Sequence, residues 1–333
     1  MDEGRLSGLR VGDPAPPPLE RRPESEVVAN WKGGEPLVSI ICPTYQHVDF
    51  IEDALRGFLG QDTDFAFEIL VRDDASTDGT ARIVAEFAEE YPKIIRPIFE
   101  KVNRWPQTSA LATLVSEARG SLVAICEGDD YWTDPTKLAR QSALLLADES
   151  AVASHHDAVV VAKGSVVRVN ELSDREQRDL SPLDLRQSGY LPLRTLMVRR
   201  NALDFSVEAH RRGWRVNNED QLLTAHLGTL GGSRYVPGAA MAVYRKHDGG
   251  LESGNDKSVR KGRSGMSSFW IAFRLREQGF VSDSEEHLVR AVTKFASAPV
   301  FGLENPELWL GWRLLRRGLA VRIRQVFGRL RRR

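Results

Sequence analysis

The sequence predicts an α/β protein built on a largely parallel sheet. Three observations predict it. Short apolar runs rich in β-branched residues alternate with helically spaced segments between residues 37 and 126, acidic clusters follow directly on those runs, and residues 255–333 keep a helical pattern almost throughout. Residues 1–35 come first. They are rich in Pro, Gly and charge, with Pro14, Pro16, Pro17 and Pro18 close together, and read as a flexible N-terminal segment. Leu37 to Cys42 is an apolar run halted at Pro43, the pattern of a buried strand, and residues 47–60 follow with helical spacing. Phe67 to Arg72 reads as a second strand ending at Asp73-Asp74, with a helix from about Asp78 to Tyr91. Ile94 to Phe99 is a third strand, 107–119 a helix that stops at Gly120, and Leu122 to Cys126 a fourth strand ending at Glu127-Gly128-Asp129-Asp130.

Between 150 and 250 the pattern is mixed. Strands are expected near 157–161, 166–169, 194–198, 233–236 and 240–244, and a helix from about 218 to 228. The domain reading is therefore a lead-in over 1–35, an α/β domain over 36–250 and a helical region over 251–333.

Composition narrows the classes. With 333 residues and 41% hydrophobic content the chain can bury a sizeable core. Lys plus Arg and Asp plus Glu number 46 each, so net charge gives no case for a nucleic-acid partner. The two cysteines, Cys42 and Cys126, lie inside apolar strands and read as small core residues of a protein in a reducing compartment. No apolar run is long enough to span a bilayer, and the N-terminus has no signal-peptide pattern.

In sheets of this kind ligands bind beyond the carboxyl ends of the strands. Those ends carry Pro43-Thr44-Tyr45, Asp73-Asp74 and Glu127-Gly128-Asp129-Asp130. Carboxylates as close as Asp129 and Asp130 repel one another, and a hard divalent cation with phosphate oxygens relieves that repulsion. A helix cap is the competing role. It suits Asp134, ahead of the helix starting at Pro135, but a cap needs one acid and not a cluster. Asp78 likewise serves as a cap, which leaves Asp74 available to accept a hydrogen bond from a nucleobase N–H.

Together the runs Val38 to Tyr45, Val71 to Thr80 and Cys126 to Pro135 resemble the family 2 glycosyltransferases of the GT-A fold. The resemblance covers about 37–250. It implies a nucleotide-diphospho-sugar transferase fold, a Rossmann-like mixed sheet flanked by helices, here with a helical C-terminal extension. It implies an inverting glycosyltransferase (hexosyl or glycosyl transfer) that uses a UDP- or dTDP-sugar, a Mn2+ or Mg2+ ion and a glycan or lipid-linked glycan acceptor. The setting implied is bacterial surface polysaccharide such as capsule or O-antigen.

By the same resemblance, Pro43, Thr44 and Tyr45 line the nucleoside pocket and Asp74 reads the uracil or thymine imide. Glu127, Asp129 and Asp130 match the acidic metal motif, with Glu where the family usually has Asp, and Asp129 and Asp130 rank ahead of Glu127 as ligands. Asp129 also meets the donor. Asn218-Glu219-Asp220 looks like the segment whose acid deprotonates the acceptor, which matches the base to Asp220; helix capping is its other reading. Tyr244-Arg245-Lys246-His247 resembles the Tyr-Arg-x-His segment, so Arg245 and His247 are expected at the diphosphate or metal. Such transfer works by in-line positioning and stabilisation of developing charge, without a covalent intermediate.

His155, His156 and Asp157 are adjacent, but strand neighbours point to opposite faces, so packing or acceptor lining is expected there. Leu191 to Arg200 resembles the family segment bordering the acceptor. Trp309 to Arg333 has helical spacing, an apolar stripe and nine arginines from Arg313 onward with no acid. It reads as a helix lying on an anionic membrane, placing the protein in the cytoplasm, peripheral at the inner face of the plasma membrane; a helix docked on the catalytic domain is the alternative. A nucleotidyltransferase would show a Gly-rich basic loop after the first strand, and a dinucleotide-binding oxidoreductase would show G-x-G-x-x-G there. Neither pattern is present. A degenerate sugar-nucleotide-binding or scaffold protein should have lost the acidic cluster or the base, and both are present.

Overall fold

Alternation of apolar side chains to both faces is what makes the central strands internal, and the computed structural model shows each face covered. The structure describes residues 8–104, 109–187, 190–204, 219–238, 240–249 and 257–297. In chain order the elements are α1 (Glu24–Val28), β1 (Val38–Thr44), α2 (Ile51–Leu59), β2 (Phe67–Asp73), α3 (Thr80–Glu90), β3 (Ile95–Phe99), α4 (Ala110–Glu117), β4 (Leu122–Ile125), β5 (Tyr131–Trp132), α5 (Lys137–Ala147), β6 (Ala151–His155), β7 (Ala158–Ala162), β8 (Ser165–Arg168), α6 (Pro182–Gln187), β9 (Met197–Arg199), α7 (Glu219–Leu230), β10 (Gly232–Tyr235), β11 (Ala242–Lys246), α8 (Lys257–Glu277) and α9 (Val281–Ser297). The chain divides into two units, Met1–Arg215 with Leu223–Gly250 and Val216–Leu222 with Leu251–Arg333.

In the first unit a seven-stranded sheet has the order β10-β6-β9-β4-β1-β2-β3. β1 pairs in parallel with β2 and β4, and β2 in parallel with β3. β9 runs antiparallel to both β4 and β6, so the sheet is mixed. The period of two is visible in the core. Val38, Ile40 and Cys42 of β1, Phe67, Ile69 and Val71 of β2, and Leu122 and Ala124 of β4 fill one cluster. Ile41, Leu70, Val123 and Ile125 fill the cluster on the opposite face. Cys42 and Cys126 are free, buried thiols whose pKa burial raises well above its usual value, as small core residues should be.

A second sheet, order β5-β11-β7-β8, was not foreseen. Tyr131, Val159, Val161, Val166 and Val243 pack on one side of it. β5 is only two residues long, too short for periodicity to reveal, and becomes a strand by pairing with Ala242 and Val243. The strand expected at 194–198 is a 3-10 turn, Leu193–Thr195, followed by β9. β6, with Ser154 and His155 in it, escaped the apolar pattern.

The N-terminal segment expected to be flexible instead folds onto this unit from Gly8 onward. The Gly12 amide donates to Val166 O and the Ala15 amide to Gly164 O, both at 2.9 Å, adding residues 12–15 to the edge of β8. The Tyr131 hydroxyl donates to Pro16 O. Leu19 is buried against Gly60, and Val27 joins the main core. Proline favours extended backbone, and here that backbone has a sheet edge to pair with.

In the second unit α8 and α9 form a helical pair whose core is Met266, Ala291 and Phe295, with Phe269, Trp270, Leu288 and Val292 against it. No helix among the described residues is long and apolar enough to cross a membrane. The proposed membrane-binding helix at 309–333 lies outside the described residues.

Candidate active site

Parallel pairing brings three strand ends together. Thr44 at the end of β1 stands in register with Asp73 at the end of β2. On the other side of β1, the Cys126 amide donates to Ile41 O at 3.1 Å and the Gly128 amide to Pro43 O at 3.0 Å, while the Asp74 amide donates to Thr44 O at 3.0 Å. The Pro43-Thr44 backbone is therefore the bridge between Asp74 and the acidic motif. A side chain at 128 has no room: an added Cβ would lie 2.6 Å from Thr44 Oγ1 and 3.0 Å from His47 Nδ1. Gln46 takes φ 56°. Its side-chain oxygen accepts from the Thr77 amide at 2.8 Å and the Asp78 amide at 3.2 Å, and its own amide donates to Ser76 Oγ at 2.9 Å, which locks the first two loops together. Tyr45 is exposed at this rim.

Glu127, Asp129 and Asp130 each offer an oxygen within 4.8 Å of the others. Asp130 is buried, and both its oxygens are engaged: Oδ1 accepts from the Arg245 backbone amide at 2.8 Å and Oδ2 from the Arg194 guanidinium at 3.2 Å. Burial pushes its pKa up to about 7; Arg194 opposes the rise and the Asp129 charge adds to it. Arg194 itself is buried between Asp130 and Glu171, the latter at 2.7 Å, and lies 4.0 Å from the centre of the Tyr244 ring. Burial alone would lower its pKa, but the two carboxylates raise it well above the usual value, so the cation is firmly held.

Asp129 is differently placed. Oδ2 accepts from His247 Nε2 at 3.1 Å, and His47 Nε2 is 3.8 Å away. Burial works against ionisation, yet the His247 hydrogen bond and the two imidazoles outweigh it and lower the Asp129 pKa. The His247 pKa is raised, first by that hydrogen bond, while that of His47 is lowered, first by burial. A trio of carboxylates at this spacing, one driven toward its neutral form by burial and a like charge, is a donor set that fits a divalent cation.

Arg245, expected at the diphosphate or metal, makes several contacts within the chain. Its guanidinium pairs with Asp53 of α2, reaches Asp129 O at 3.3 Å, and lies 4.1 Å from the Tyr131 ring centre and 5.4 Å from that of Phe50. It braces α2, β5 and the acidic motif. Asp74 is buried; its Oδ1 accepts from the Arg72 guanidinium at 3.0 Å and from the Arg104 amide at 3.2 Å, and Arg72 also pairs with Glu100 at 3.2 Å. Asp220 lies in the first turn of α7, with its Oδ1 accepting from the Gln221 amide at 2.8 Å. Residues 216–222 belong to the second unit. His155 and His156 are buried with separate partners: His155 bonds Ser233 Oγ at 2.7 Å and Glu176 O at 2.8 Å, and His156 Nδ1 bonds Asp157 O at 2.7 Å.

The structure thus gathers Thr44, Glu127, Asp129, Asp130, Arg245 and His247, and links Asp74 to them through the β1 loop. It adds His47, Asp53, Glu171 and Arg194, which sequence reasoning missed. An arginine within the apolar stretch Leu191 to Val198 was the available signal for Arg194, because a buried guanidinium requires buried acids. His47, directly after the Pro43-Thr44-Tyr45-Gln46 loop, carried no motif.

Residues 39–204 match the family described as glycosyl transferase family 2. Residues 39–204 form a glycosyltransferase family 2 domain. An uncharacterized protein of Mycobacterium tuberculosis is 34% identical over 216 residues, covering 64% of this chain and 60% of that protein. The chain thus matches less than two thirds of that relative's length. TuaG of Bacillus subtilis, provisionally named as a teichuronic acid biosynthesis glycosyltransferase, is 34% identical over 105 residues, which is 32% of this chain and 39% of TuaG. Among solved structures, S. aureus TarS 1-349 in complex with UDP-GlcNAc is similar with a TM-score of 0.57 at 20% identity, over 82% of this chain and 78% of that one. The mannosyltransferase PcManGT from Pyrobaculum calidifontis, in complex with GDP-Man and Mn2+, has a TM-score of 0.52 at 22% identity, over 96% and 85%. These likenesses show the shared GT-A-like fold, with its largely parallel sheet flanked by helices.

Proposed function

We propose that the chain transfers a sugar from a nucleotide-sugar donor to a hydroxyl acceptor with inversion at the anomeric carbon. One observation carries the reading: the ends of β1, β2 and β4 are tied together so that Asp74, Thr44 and the Glu127-to-Asp130 motif share one edge of the sheet. The family 2 domain over 39–204 supports it.

In this reading the nucleoside lies along Pro43, Thr44 and Tyr45. Asp74, held in place by its Arg72 partner, accepts from the imide N–H of a uracil or thymine. Asp129 and Glu127, with His247 beside them, would hold a divalent cation, Mn2+ or Mg2+, whose chemistry there is to neutralise charge on the diphosphate leaving group. Asp130 and Arg194 keep the motif in place, and Arg245 anchors its backbone. Asp220 removes the proton from the attacking hydroxyl, and the gain over solution comes from alignment and fixed charge. The donor complexes of TarS and PcManGT support nucleotide-sugar use, and the latter's Mn2+ supports the cation.

The acceptor is a glycan or lipid-linked glycan of surface polysaccharide assembly, a reading supported by the name of TuaG. Residues 309–333 hold the protein to the inner face of the plasma membrane through their arginines. Pelleting with anionic vesicles tests that reading: loss of binding on removing 309–333 supports it, and equal pelleting ends it.

The test of function is release of nucleoside diphosphate from UDP-, dTDP- and GDP-sugars after a thermal-shift screen with Mn2+ or Mg2+. Metal-dependent stabilisation by one donor class is expected. Asp220→Asn should keep that stabilisation and lose transfer by about 100-fold or more, the scale of general-base loss. Full transfer by the variant would remove Asp220 as base, and stabilisation by no donor would remove the reading as a whole.

A further inference from the structure

The residues ahead of the family 2 domain are tied to the acidic motif. We propose that residues 12–22 are a clasp that positions this motif from behind, acting through Tyr131 and Gln61, so that the candidate active site depends on a segment outside the matched residues 39–204. The clasp's part in transfer rests on the proposed function; its hold on the motif does not.

The clasp meets the segment from Glu127 to Leu138 at two places. The first is Tyr131, directly after Asp130. Its hydroxyl donates to Pro16 O, and burial pushes the pKa of that hydroxyl up to about 12, which keeps it a donor. The Tyr131 ring lies 4.1 Å from the Arg245 guanidinium. That guanidinium reaches Asp129 O at 3.3 Å, and the Arg245 backbone amide donates to Asp130 Oδ1 at 2.8 Å. A displaced Tyr131 therefore shifts the support under both acids. The second place is the turn after β5. Arg22 donates to Gln61 O. Gln61 is fully buried; its side chain donates to Asp134 O at 2.9 Å and accepts from the Leu138 amide at 3.1 Å. The Asp62 amide adds a bond to Pro135 O at 2.8 Å.

The clasp itself is held at few points. Gly12, Pro14, Pro17, Glu20 and Arg21 are exposed, whereas Pro16 and Leu19 are buried. Its ion pairs, Glu20 with Arg56 at 3.0 Å and Arg21 with Glu90 at 2.8 Å, lie on the surface and contribute little. The prolines restrict the free chain, so docking orders little backbone. Leu19 is the pin. It is 4% exposed and fills the space that Gly60 leaves at the end of α2, where an added Cβ would lie 2.6 Å from Leu19 Cβ. An element with few buried contacts opens more readily than the sheet behind it, so the clasp is separable from the core.

Leu19→Asp in the full chain tests the clasp, because an unpaired carboxylate is expelled from the Gly60 notch. Hydrogen exchange followed by mass spectrometry reads the result without any ligand. Exchange should quicken in residues 12–15, which lose their bonds to β8, and in residues 128–133, while β2 and β3 keep wild-type protection. Leu19→Met, which conserves volume, should match the wild type, and Leu19→Ala should show the Leu19→Asp pattern to a smaller degree. Calorimetric titration with Mn2+ should show binding weakened about tenfold in Leu19→Asp, the scale of lost support behind a metal site. Release of 12–15 with unchanged exchange in 128–133, or with unchanged Mn2+ affinity, overturns the proposal, because the segment is then only a cover. So does protection of 12–15 that survives Leu19→Asp, and so does exchange that quickens equally in β2 and β3, the mark of a general stabiliser. Absence of Mn2+ binding by the wild type removes the cation from the proposed function and leaves the clasp standing on the exchange pattern.

Discussion

Replacing Arg194 with Met isolates the buried charge that holds the acidic motif. The guanidinium is 5% exposed, lies between Asp130 at 1% and Glu171 at 7%, and bonds them at 3.2 and 2.7 Å. Met keeps most of the apolar stem beside Tyr244 but leaves two carboxylates facing each other without a cation. Breaking such a buried arrangement from one side costs about 3–5 kcal/mol. The cost should depend on pH, and its sign follows from Asp130. Its folded pKa is raised from 3.8 to about 7, so the stability gained by protonation is full below 3.8 and lost as pH rises through about 7. Arg194 works to hold that pKa down, so without it the folded value rises further and the deficit is largest above pH 7. Urea unfolding followed by tryptophan fluorescence reports it near the site, because Trp132 Nε1 donates to Arg194 O at 2.9 Å. Measured at about pH 8 the loss should be near 3–5 kcal/mol, and it should shrink by at least about 1 kcal/mol at about pH 5.5. Asp130→Asn combined with Arg194→Met should recover part of it. A loss below about 1 kcal/mol that is equal at both pH values would refute the reasoning.

Three further outcomes follow from the same structure. Gly128→Ala should cost about 1–3 kcal/mol by overpacking, since its Cβ would lie 2.6 Å from Thr44 Oγ1 and 2.9 Å from Thr44 Cβ. Gly34→Ala, with nothing within 4 Å, should stay within about 0.5 kcal/mol, and equal denaturation midpoints for the two would contradict the close approach. Lys137 is fully buried over Trp132 with its pKa pushed down to about 7 by burial, so its stability contribution is present above 10.5 and lost as pH falls through about 7. Wild-type stability should therefore climb by about 1.4 kcal/mol per pH unit from about 7.5 to about 9.5 relative to Lys137→Met, and parallel pH profiles would show that the amine stays charged. Tyr131→Phe strands the Pro16 carbonyl and should cost about 1–3 kcal/mol, read as a lower Tm and faster proteolysis before residue 20; an unchanged cleavage pattern would contradict docking of that segment through Tyr131.

The main sheet was legible because its strands are apolar on both faces. Val38 to Cys42, Phe67 to Val71 and Leu122 to Ile125 announce burial whatever surrounds them, and the acids that follow mark the edge that carries the candidate site. What stayed hidden depends on partners distant in sequence. Tyr131–Trp132 is a strand only because Ala242 and Val243 lie beside it, and the Pro-rich start is ordered only because β8 offers an edge. The site divides the same way. Asp129 and His247 could be read from local motifs, whereas Arg194 meets Asp130 across 64 residues and Asp53 meets Arg245 across 192. Pairings at that separation leave no trace in spacing or periodicity. The Pro43-to-Tyr45 loop was read correctly as a strand end, but His47 beyond it looked like the first residue of an ordinary amphipathic helix.

The central claim is that one cation and one nucleoside diphosphate meet at the ends of β1, β2 and β4. Anomalous scattering from crystals grown with Mn2+ and UDP tests it most directly. The account predicts a single strong manganese peak bonded to Asp129, with the diphosphate on it and the base against Asp74. Manganese elsewhere on the chain, or UDP bound away from Thr44 and Asp74, would contradict it.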